Sequence, residues 1–169
     1  MTQRPERSEA HEYFFTYIDQ APGDDVRVVL HEQAASVLAT LGAIDEERSR
    51  HRYAEGKWSI REIVSHVNDC ERMFIFRAFW FARGFESGLP SFDQERAMRH
   101  ASADERTMAD HVAEFAAVRA STLALADSLS AEAWTRVGTA SEMRFSARAL
   151  AWIAAGHVEH HMRLLRERY

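Results

Sequence analysis

Apolar residues along this chain recur at helical spacing, and the segments that carry them are separated by short polar stretches. From residue 59 to 84, Ile63, Val67, Cys70, Phe74 and Phe81 follow one another at intervals of three, four and seven, which places them on one helical face. Ser59 and Glu62 have the spacing of a capping box, in which each side chain satisfies a free amide at a helix start, and Gly84 is a suitable stop. The same periodicity predicts a helix over about 24–41, with Val28, Leu30, Ala34, Val37, Leu38 and Leu41 as its apolar side. A third runs over about 107–129 through Met108, Val112, Phe115, Val118, Leu123, Leu125 and Leu129, and SAEAW after it adds one turn. A last helix starts at a Ser146 cap and reaches Arg166 or beyond, with Leu150, Ile153, Ala154, Val158, Leu164 and Leu165 on one side.

A shorter helix is predicted over about Ser8–Asp19, and EERSRHRYAEGK, FESGLPSFDQ and RVGTASEMRF read as connections. No segment shows sustained strand alternation. The expectation is an all-α protein: a four-helix bundle with a short extra N-terminal helix, one domain over 1–169, with 1–23 as the extension and 24–169 as the bundle.

Composition narrows the function more than the fold. The chain has 169 residues, 46% hydrophobic and 28% charged, enough to bury one core unaided. Its single cysteine, Cys70, cannot form an internal disulfide, and its start lacks a secretory pattern, so a reducing cytoplasm is the simplest expected location. The apolar run Met73–Phe85 is interrupted by Arg77 and Arg83, so no membrane span is expected. The net charge is −5 with basic residues dispersed, which argues against nucleic acid as a partner. The basic C-terminal RLLRERY complements the negative end of a helix.

Nine histidines are the unusual feature. His11, His31, His51, His100, His111 and His160 all have ordinary surface or core readings. In GHVEHH, however, His157 and His161 are four residues apart and share a helical face from which two imidazoles can reach one ion. At about 100° per residue, His161 lies near the centre of the apolar face, His157 about 30° away and His160 about 90° away. His66 flanks the apolar line of the helix that begins at Ser59 and can face the bundle interior.

The segments GKWSIREIVSHVNDCERMFIFRA, LPSFDQ and ALAWIAAGHVEHHMRLLRERY, in that order, resemble the DinB-like (YfiT-like) superfamily of metalloenzymes over roughly residues 24–169. The resemblance implies an up-and-down four-helix bundle, frequently a homodimer, with one divalent metal ion held by His66, His157 and His161. Cys70 departs from the small or hydroxyl residue expected at its position. It reads either as a buried small apolar side chain or as a sulfur close to the metal.

Three neutral imidazoles leave an ion's charge uncompensated and a coordination position open, as in catalytic rather than structural sites. A water there becomes acidic enough to supply hydroxide, which points to a hydrolase acting on a small-molecule substrate. The same position could activate a low-molecular-weight thiol for S-transfer, since the superfamily includes such transferases, or the ion could merely stabilise a stress-response module. Zinc and nickel suit the ligands best, with iron allowed.

No general acid or base is assignable from sequence. Glu159 points away from the ligand face, Asp69 lies toward the polar side, and Asp93 and Gln94 could overhang the site from their loop. Trp58, Trp80, Trp134 and Trp152 read as core or pocket walls. Imidazoles with their ordinary pKa would begin to release the ion below about pH 6.

Overall fold

The structure, a computed structural model, describes residues 2–169. The expected helix at Ser8–Asp19 is broken: two 3-10 turns, Arg7–Glu9 and Glu12–Phe14, precede a short helix α1 (Phe15–Ile18), because Ala10 is extended and interrupts the hydrogen-bond ladder. Helix α2 (Val26–Gly42) is capped by Asp25, whose carboxylate accepts from the Arg27 amide. Helix α3 (Ile60–Ala82) opens on the Ser59–Glu62 capping box.

Helix α4 (Gln94–His100) begins on the last residue of the expected FESGLPSFDQ connection and runs through a stretch the hydrophobic pattern leaves unassigned, its seven residues being too few to display a period. Helix α5 (Met108–Ser128) opens on a second capping box, Thr107–Asp110, and α6 (Ala131–Thr135) is the turn expected at SAEAW. Strands β1 (Val137–Ala140) and β2 (Met143–Ser146) pair antiparallel in the segment read as a connection. Four-residue strands are too short to show alternation; the hairpin is made by Ser141 and Glu142, both at positive φ as a type I′ turn requires. Ser146 then caps α7 (Ala147–Arg168) by accepting from the Ala149 amide.

The four long helices α2, α3, α5 and α7 form the bundle. Both α2 and α3 pack on α5 and α7, so α2 and α3, adjacent in sequence, face each other across a diagonal. The residues that meet across each interface fix the directions. Leu30 and Gln33 meet Arg119 while Leu41 meets Met108, so α2 and α5 are antiparallel. Asn68 meets His111 and Glu71 meets Arg119, so α3 and α5 run the same way. This is possible because residues 83–107 travel back along the bundle, a distance of about 35 Å for a helix the length of α3. Phe81 at the end of α3 meets Gly138, just before α7 begins, so α3 and α7 are antiparallel.

The buried face of α2 is Val26, Val29, Leu30, Gln33, Val37 and Leu41, leaving Val28 outside it, and that of α5 includes Arg119 and Thr122. These polar residues build a network inside the bundle. The Arg119 guanidinium donates to both Glu71 carboxylate oxygens at 2.8 and 2.7 Å, and to Gln33 Oε1 at 3.0 Å and the Leu30 carbonyl at 3.2 Å. Thr122 donates to Glu71 at 2.8 Å, and Gln33 donates onward to the Ala155 carbonyl of α7 at 3.0 Å. All four long helices are thereby tied by directional bonds, which specify which helix sits beside which more sharply than apolar contact can.

The N-terminal segment lies along α7. The Trp152 indole donates to the Thr2 and Gln3 carbonyls, Arg4 donates to the Ile18 carbonyl, and Gly156 faces the α1 backbone. A Cβ at Gly156 would stand 2.0 Å from the Tyr17 carbonyl oxygen, so only glycine lets the segment approach this closely.

Two outcomes test this packing. Replacing Arg119 with Met leaves Glu71 buried and unpaired and should cost about 3–5 kcal/mol in urea unfolding, whereas the double change Arg119→Met with Glu71→Leu should recover most of that loss. Gly156→Ala should lower stability by about 1–3 kcal/mol by displacing the N-terminal segment, while Gly42→Ala, whose Cβ would meet nothing within 4 Å, should be neutral or mildly stabilising in the same thermal melts.

Candidate metal centre

His66 lies on the second turn of α3, and His157 and His161 occupy successive turns of α7. Because α3 and α7 are antiparallel neighbours, the turn of α3 that follows its cap meets the later half of α7, and the three imidazoles converge in the interior. The Nε2 atoms of His66 and His157 are 3.1 Å apart, and those of His157 and His161 3.2 Å apart. One ligand atom from each of the three lies within 4.8 Å of the others, the one such trio of histidine, cysteine or carboxylate groups among the described residues. Two nitrogens at about 2.0–2.1 Å from one tetrahedral ion must be about 3.3 Å apart. The observed spacings fit that requirement.

The three rings are 3%, 4% and 8% exposed, in sequence order. Burial holds the His66 pKa down at about 4 and that of His161 at about 3, and takes His157 well below the ordinary imidazole range. Desolvation is the leading cause at each, with neighbouring histidines adding to it. The site therefore presents neutral imidazoles across the physiological range, the form in which their lone pairs are free to ligate.

Cys70, one turn after His66, is buried with its sulfur 3.5 Å from His66 Nδ1. Burial pushes its thiol up to about 12, so it stays protonated near neutral pH. The sulfur lies almost as close to His66 Nε2, at 3.7 Å, and so packs beside the His66 ring without selecting a tautomer. Cys70 is thus both the buried small residue and the neighbouring sulfur of the two sequence readings. His160 sits off the convergence point, edge-on to Tyr17 at 5.5 Å, as the helical angle predicts.

The other sequence candidates disperse. Glu159 pairs with Arg166, and Asp69 lies beside Arg72, where burial raises its carboxyl pKa. Asp93 caps α4 by accepting from the Arg96 amide. Trp134 and Trp152 are core residues, and Trp80 stacks on Phe85 at the far end of α3. Trp58 alone comes to the site, its ring 4.9 Å from that of His66.

Gln94 also reaches the site, lining a cleft of about 310 Å³ with His161, Trp58, Tyr53, Lys57 and Glu95. Two contributors escape sequence reasoning. Tyr17 packs edge-on against His157 at 5.4 Å, and Gly156 makes room for it. The only trace of this in the sequence is the run of small residues Ala154, Ala155 and Gly156 before His157.

The family model of the DinB superfamily matches residues 30–165. The chain belongs to the DinB superfamily. YfiT from Bacillus subtilis, described as a probable metal-dependent hydrolase with an unusual four-helix bundle topology, has a similar structure, with a TM-score of 0.72 and 14% sequence identity over 96% of this chain and 89% of that one. At that identity the likeness establishes a shared fold. No curated protein sequence matches the chain. Among the described residues, no helix is long and apolar enough to cross a membrane.

The depressed pKa values set a pH dependence opposite to that of a histidine whose charged form gains a partner on folding. The unfolded chain binds protons at these histidines below about pH 6.5, whereas the folded chain resists them until far lower. Stability of the metal-free protein is therefore full above that range and falls as pH drops toward 4, by roughly 3 kcal/mol from His66. Urea unfolding of metal-free wild type and His66→Leu between pH 4 and 7 should show the shallower slope in the variant; equal slopes would refute the buried neutral histidine. Burial also moves the expected loss of metal below the pH 6 suggested by sequence.

Proposed function

We propose that this protein is a divalent-metal-dependent hydrolase of small molecules, with His66, His157 and His161 as its metal ligands and zinc or nickel as the ion. The convergence of three buried, neutral Nε2 atoms carries the reading. The fold shared with a protein described as a probable metal-dependent hydrolase supports it. A bound ion would supply Lewis acidity and lower the pKa of a coordinated water toward neutrality, without a balancing protein charge.

The chain's own residues do the rest. His157 and His66 are enclosed by Tyr17, Phe74 and Trp58, which keep bulk water from that side. His161 borders the cleft, so a substrate enters along its face. Cys70 packs beside the His66 ring and helps to hold its position.

The decisive experiment is elemental analysis of tag-free protein, followed by ester, amide and lactone hydrolysis with and without added thiol. Near-stoichiometric metal lost in both His66→Ala and His157→Ala, together with thiol-independent turnover reduced at least a hundredfold in the variants, is the expected result. Metal unchanged in the variants would remove the ligand assignment. Turnover that requires thiol would replace hydrolysis with S-transfer, and metal that only raises the melting temperature would leave a binding module.

A further inference from the structure

Lys57 is the only lysine in a chain that otherwise uses arginine for every basic side chain apart from histidine. It stands in the cleft that leads to His161, and the one carboxylate lining the same cleft is Glu95. Neighbouring charges are already engaged: Arg52 pairs with both Glu62 and Asp104. Neither Lys57 nor Glu95 belongs to any ion pair among the described residues.

The Lys57 backbone is nevertheless fixed, since its carbonyl accepts from Arg52 at 2.8 Å. The same cleft has an aromatic wall: Tyr53 packs edge-on to Tyr169 at 5.1 Å, and the Tyr169 hydroxyl donates to the Trp58 carbonyl at 2.6 Å. The cleft therefore offers one cation, one anion and an aromatic surface, with Gln94 as a neutral hydrogen-bonding group.

The geometry points to a zwitterionic substrate: an amino acid or small amino-acid derivative, with its carboxylate received by Lys57, its ammonium by Glu95 and an apolar side chain on the aromatic wall. This rests on the site being the reactive centre proposed above and names the class of molecule it takes. A compact ammonium is a suitable receiver for a single carboxylate that must still move toward a reacting centre, since arginine's bidentate fork would fix it in one orientation. A substrate carrying only one of the two charges would leave the other protein group unanswered on binding.

Phenylalanine, phenylalanine amide and N-acetylphenylalanine separate the contributions, since the second lacks the carboxylate and the third the ammonium. Calorimetric titration of the full chain, zinc-loaded and metal-free, should show phenylalanine binding about tenfold more tightly than either analogue. Lys57→Met should erase the advantage over the amide and retain that over the acetyl compound, and Glu95→Gln should do the converse. Both side chains are exposed, so the variants should melt with wild type.

Equal binding of the three compounds, a preference untouched by both substitutions, or no binding of phenylalanine at about 10 mM would each overturn the inference. The two readings fail separately. A chain that takes up no metal yet keeps the double preference retains the zwitterion site and loses the hydrolase; one that holds metal and hydrolyses uncharged esters without the preference does the reverse.

Discussion

Three imidazole nitrogens cannot be held within 4.8 Å of one another in an apolar interior if all are protonated, because the repulsion and the lost hydration would oppose folding together. The fold accepts this arrangement by keeping the rings neutral, with lone pairs directed at a common point. Much of the molecule follows from that constraint. Helices α3 and α7 must be neighbours and antiparallel, so that a residue on the second turn of one reaches residues on the third and fourth turns of the other. The N-terminal segment must close over His157, which requires glycine at 156.

A second polar arrangement keeps the helices in that order. Glu71, which with Arg119, Gln33 and Thr122 makes up this network, is the residue after Cys70 and so lies about 100° round α3, on another face. Apolar cores tolerate sliding and exchange of helices more readily than a bidentate ion pair does. The histidine cluster and this network thus use opposite solutions to the same problem of polar groups in a dry interior: one stays neutral, the other is charged and fully paired.

Long helices were legible in the sequence because both their periodicity and their caps are local. Ser59, Thr107 and Ser146 begin helices in the structure within a residue of where the pattern puts them. What escaped was either short or non-local. Helix α4 and the hairpin are too brief to show a period, and Val29 rather than the expected Val28 is buried in α2 because a loosely amphipathic helix leaves its phase open. The His157–His161 pair declares itself through four-residue spacing, whereas His66 is separated from His157 by 91 residues and stood out through resemblance to a family. Tyr17 carries no motif, and Lys57 lies in one without marking itself as a site residue; only the folded chain brings them to the site.

The parallel course of α3 and α5 has an evolutionary corollary. Residues 83–107 must travel the length of the bundle, and on the way they deliver Gln94 and Glu95 to the rim of the cleft. The three converging histidines come from two rigid helices, while this part of the rim comes from a return segment that can lengthen or change without disturbing them. The interior cluster and this part of its rim are therefore written in separate stretches of the chain, so descendants of this scaffold could reshape the mouth of the cleft while the histidines stay where they are.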